Sequence, residues 1–193
     1  MKRAAPAPIG GRPACQREAQ MINWSGHWHG FGPWVGARDE FNKEYLRRPG
    51  ANLTDAHIRE HLSREMAPGA FRQWLLTQGG ANDYTRTFLA NDMTPVQLGH
   101  SLLKLTKVSA DRTWTDIDDA LSWLAKTWID NPPGGDVLPL EKTIEYKREA
   151  LLLGSDVCTG YYTPGFSYVD FTIICCPNRF FPNIPCPLPP PKP

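Results

Sequence analysis

Four of the five histidines fall into two close pairs, and their spacing is the clearest chemical signal in the chain. His27 and His29 stand one residue apart within NWSGHWHGFGPWVG, residues 23 to 36. Side chains alternate along an extended strand, so both imidazoles would face the same side. His57 and His61 are four residues apart, and on a helix they would share a face. Neutral imidazole is available near pH 7 and is a good donor to zinc or another borderline metal. Two such pairs supply the four ligands of a tetrahedral site. His27, His29, His57 and His61 are therefore the expected metal ligands, with zinc as the expected cofactor class. His100 sits in a leucine-rich segment and reads as a core histidine.

Residues 57 to 61 spell His-Ile-Arg-Glu-His. This run resembles the H-x-x-E-H pattern of the inverzincins, in which two histidines hold zinc and the glutamate acts on a water. The resemblance covers five residues. It implies zinc on His57 and His61, Glu60 as the catalytic general base, and a small metallohydrolase. It also implies a further glutamate ligand from a distant helix, for which Glu141 and Glu145 are available.

Five cysteines are present: Cys15, Cys158, Cys175, Cys176 and Cys186. No apolar stretch follows the basic N-terminus, so the chain reads as cytoplasmic and its thiols as free. Cys175 and Cys176, with Cys186 ten residues on and Cys158 across a hairpin, raise the idea of a thiolate cluster. However, neighbours on a strand point to opposite faces, and this spacing is not that of a standard zinc motif. The expectation is therefore buried thiols acting as small apolar groups.

Nucleophile and phosphate-loop signatures are missing: there is no G-x-S-x-G, GxxxxGK[ST] or G-x-G-x-x-G. The net charge is +1, and its excess lies in residues 1 to 20, which hold four basic residues and one acidic. The remainder carries 17 basic and 19 acidic residues, no footprint for a nucleic-acid backbone. The segments 94–107 and 116–129 are joined too loosely for a helix-turn-helix, and the second opens with aspartates. No run of about 18 apolar residues exists, so no membrane span is expected.

Aromatic side chains suggest a different role. Trp24, Trp28, Trp34, Tyr161 and Tyr162 are of the types that anchor protein interfaces. The tail PLPPPKP, with Pro187, Pro190 and Lys192, has the form of a polyproline II ligand. Two function classes follow. The first is a non-catalytic protein-binding or assembly protein with a protein partner, using the aromatic N-terminal segment, the hairpin and the tail. The second is a small zinc-type metal-binding protein, extending to a metallohydrolase, using the two histidine pairs.

The elements needed to position these residues are mostly helical. Helices are expected near 54–66 and 70–77, and near 83–90. Thr94-Pro-Val-Gln97 is a capping box that should start another, with Leu98, Leu102 and Leu105 on one face. Ile117, Leu121, Leu124 and Trp128 form the apolar stripe of the next. NPPGG at 131–135 breaks the chain, and a further helix runs from about 139 to 153. Residues 157 to 176 are rich in strand formers around Pro164-Gly165 and predict a β-hairpin. A lone hairpin is marginal, so the 23–36 stretch is the natural candidate to pair with it. The expected class is α+β: mainly α-helical, five to six helices, a C-terminal hairpin and a short N-terminal aromatic strand. The expected organisation is a disordered basic tail at 1–20, one globular domain at 21–176 and a proline-rich extended tail at 177–193.

Overall fold

The computed structural model describes residues 24–50 and 83–190. The expected helices at 54–66 and 70–77, the basic tail at 1–20 and Lys192 lie outside them.

A four-stranded antiparallel sheet organises the described residues, in the order β2-β1-β4-β3. β1 is His27–Gly36, β2 is Thr113–Trp114, β3 is Val157–Tyr162 and β4 is Tyr168–Cys176. The helices are α1 (Arg38–Phe41), α2 (Asp83–Ala90), α3 (Ile117–Asp130) and α4 (Leu140–Leu152). This corrects the expectation of a mainly helical chain carrying a hairpin. The hairpin is there, but it is half of a larger sheet, and the fold is a mixed one of helices and sheet. The reason lies in β4, whose sequence YVDFTIICC lacks polar alternation and is buried along nearly its whole length. A strand of that kind needs a neighbour on each side and cover on both faces. β1 supplies the second neighbour, running antiparallel to β4 from His27 opposite Cys176 to Gly36 opposite Tyr168. Gly32 and Pro33 are absorbed by a register shift between Phe31 and Trp34. Gly32 there takes φ +93°, a conformation open to glycine at little cost.

A second correction concerns residues 94–107. The expected α-helix is instead a pair of 3₁₀ turns, Leu98–Leu103 and Leu105–Lys107. Residues 99 to 103 are all buried, so no solvent face remains for an amphipathic α-helix to turn outward. Gly99 also packs directly beneath the ring of Phe181, a spacing that a longer side chain would prevent.

Each face of the sheet has its own core. On one face Trp28, Val157, Tyr161, Val169, Phe171, Ile173 and Cys175 pack against Ala120, Leu121 and Leu124 of α3 and Leu151 of α4. α3 begins where Asp116 caps it, its carboxylate accepting the Asp118 N–H at 2.8 Å. On the other face Phe31 and Ile174 pack with Phe88 of α2, Leu102, Leu103 and Ile184. Ile184 belongs to the segment after β4, which folds back over the sheet. Among the described residues no helix is long and apolar enough to cross a membrane.

Candidate metal centre

Strand alternation puts His27 and His29 on the second face, as their spacing predicts. The register places His27 opposite Cys176 and His29 opposite Ile174. Alternation also separates the two adjacent cysteines. Cys175 enters the helix-side core, whereas Cys176 faces the histidines. Cys186 then arrives from the returning segment.

That return is held by hydrogen bonds rather than by sheet pairing. Asn178 Nδ2 donates to both carboxylate oxygens of Asp156, at 3.0 and 2.8 Å. Asn178 Oδ1 accepts the N–H groups of Phe180 and Phe181, both at 3.1 Å. Phe181 then lies against His100, with ring centroids 4.7 Å apart, and Ile184 plugs into the core. Cys186 follows two residues later.

His27, His29, Cys176 and Cys186 each point one donor atom into a common space, and these atoms lie within 4.8 Å of one another. His27 Nε2 is 3.1 Å from His29 Nε2 and 3.2 Å from Cys186 Sγ. Cys186 Sγ is 3.5 Å from His29 Nε2. Zinc bonds of about 2.0–2.1 Å to nitrogen and 2.3 Å to sulfur give tetrahedral edges of about 3.3–3.8 Å. The donor atoms are thus already close to the spacing that a single ion requires. Among the described residues no other group of three or more such side chains converges this way.

A neighbour sets the tautomer of His29. Thr113 Oγ1 donates its proton to the Ser109 carbonyl, at 2.9 Å. Its oxygen is left as an acceptor 3.0 Å from His29 Nδ1, which therefore carries the ring proton. Nε2, the atom facing the other three donors, keeps its lone pair. This is the outer-shell arrangement that orients metal-binding histidines.

The thiols are polarised too. A hydrogen bond from Cys176 is the main influence on Cys186 and, with the two histidines, holds that thiol below its ordinary value against the opposing effect of burial. Cys176 is shifted strongly upward by the same bond and by burial. The pair thus favours negative charge on Cys186 over Cys176, and the thiol protons that remain must leave when an ion binds.

The remaining predicted residues separate. His57, Glu60 and His61 lie outside the described residues. His100 is buried, as expected of a core histidine. Trp28 and Tyr161 are 6% and 7% exposed and belong to the helix-side core. Trp24 is half-buried against Trp28, and Trp34 against Phe41. Tyr162, by contrast, is 44% exposed. Sequence reasoning missed that Cys176 and Cys186 join the histidines in this cluster. The usable signal was the strand itself: given an antiparallel β1–β4 pair, Cys176 shares a face with the histidines and Cys175 does not.

No family model, curated protein or solved structure matches the chain.

Proposed function

We propose that this protein binds one zinc-class ion through His27, His29, Cys176 and Cys186, and that the ion serves structure rather than turnover. The observation that carries this reading is the convergence of four donor atoms within 4.8 Å. Two imidazoles and two thiolates form a set suited to zinc. Four protein ligands close the coordination sphere, whereas catalytic zinc keeps a position for water or substrate. The ligands come from the start of β1, the end of β4 and the segment after it, so an ion there clasps that segment to the sheet.

Elemental analysis of the reduced, purified chain tests the reading. The expected result is one zinc per chain, lost in His29→Ala and in the Cys176→Ser, Cys186→Ser double variant, and kept in His57→Ala and His61→Ala. Zinc that follows His57 and His61 instead would overturn it in favour of a site on the H-x-x-E-H run.

A second reading, as a protein-binding module, is favoured by the hairpin end, where Tyr162 is 44% and Phe166 85% exposed. With Pro133, Gly134 and Pro164 they line a shallow apolar groove. Light scattering of the wild type and Phe166→Ser would test it: a weight-average mass above the monomer that falls in the variant is expected, and identical monomers would count against it.

A further inference from the structure

We propose that the centre is also a thiol redox switch, in which a peroxide-class oxidant joins Cys176 to Cys186 and releases the ion. This rests on the metal reading above and names how the same site would be regulated. The two sulfurs share one cluster. They differ in access: Cys176 is 2% exposed and Cys186 is half-buried. Cys186 also belongs to a segment outside the sheet ladder, so it can approach Cys176 without breaking strand pairing.

The chemistry balances with the peroxide as sole oxidant. The Cys186 thiolate attacks one peroxide oxygen, the O–O bond breaks, and a sulfenic acid and a hydroxide form. The Cys176 thiolate then attacks that sulfur, the S–O bond breaks, and a disulfide and a second hydroxide form. Two electrons pass from the sulfurs to the peroxide, and the hydroxides take up protons from solvent. The ion loses both anionic ligands, and two imidazoles alone hold zinc poorly.

The fold decides which thiols pair. Cys175 is next to Cys176 in sequence but faces the opposite core. Cys158 lies across from Thr172, four residues along β4 from Cys176, or about 13 Å away at strand spacing. Among the described cysteines, only Cys176 and Cys186 can be bridged without unfolding the sheet.

The test uses the full-length zinc-loaded chain titrated with hydrogen peroxide. Zinc release is followed with a chromophoric chelator, and disulfides are mapped by peptide mass spectrometry. The expected result is one zinc released per Cys176–Cys186 bridge, recovery of zinc binding after dithiothreitol, and no bridge in Cys186→Ser. Zinc retained under peroxide, or released with sulfinic and sulfonic acids in place of that bridge, would overturn the switch alone. A reduced chain that takes up no zinc fails one step earlier and overturns the metal centre with it.

Discussion

Thr113 decides which nitrogen of His29 meets the other donors, and it does so with one proton. Its hydroxyl hydrogen goes to Ser109, so its oxygen can only accept from Nδ1. Replacing it with valine keeps the shape and removes the acceptor. Thr113→Val should therefore weaken zinc affinity about 10- to 100-fold, the usual effect of losing such a partner. Competition with a calibrated chelator would measure it, and unchanged affinity would count against the tautomer assignment. Asp170 poses a separate question on the same face of β4. It is 2% exposed, and one carboxylate oxygen has no hydrogen-bond partner. Burial pushes its carboxyl up from 3.8, against the pull of Thr94, Cys158 and Arg47. An acid raised on folding makes its charged form costly above the folded pKa, and that cost disappears below the unfolded value. Asp170→Asn should accordingly stabilise the fold at neutral pH by about 1 kcal/mol. The gain should fade as pH drops toward 3.8. Melting curves of both chains across that range would show it, and a gain that ignores pH would contradict the sign.

At the scale of elements, the β1–β4 pair does most of the positioning. Gly30, between the histidines and the register shift, sits under two tryptophans. A Cβ there would lie 2.7 Å from Trp114 Cη2 and 3.2 Å from Trp123 Cζ3. Gly30→Ala should lower stability by about 1–3 kcal/mol, as overpacking does in a filled core. Chemical denaturation would measure the loss, and a neutral result would mean that the indoles slide aside freely. This glycine also illustrates what the sequence does and does not disclose. The helices at 117–130 and 140–152 were legible from their apolar stripes and breakers, and the hairpin from its aromatic run around Pro164-Gly165. The His27–His29 face was legible from alternation alone. The length of β1 was obscured because glycine and proline look like turn residues until a partner strand absorbs them. The 3₁₀ turns at 98–107 were hidden for a related reason: a capping box signals an α-helix locally, but burial on all sides overrides that local preference. Cys186 was the least legible of all. It reaches the site through the Asn178–Asp156 hydrogen bonds and the burial of Ile184, which are tertiary facts with no periodic trace.

For the whole molecule, the metal reading makes the segment after β4 part of the fold. It covers Phe31, Ile174 and Leu102 on the second face, and Cys186 fastens its far end. Binding to the folded state alone stabilises it by about 4 kcal/mol when free ion is about a thousandfold above the dissociation constant. Removing zinc with a strong chelator should thus lower the melting temperature by several degrees, and re-addition should restore it. Calorimetry before and after chelation would check this, and identical melting curves would mean that the ion holds nothing in place. The most direct measurement is zinc X-ray absorption on the reduced full-length chain. The account predicts a first shell of two sulfurs at about 2.3 Å and two imidazole nitrogens at about 2.0–2.1 Å, and no bound zinc left to give an edge in the Cys176→Ser, Cys186→Ser double variant. A shell of nitrogen and oxygen alone in the unmodified chain would contradict it.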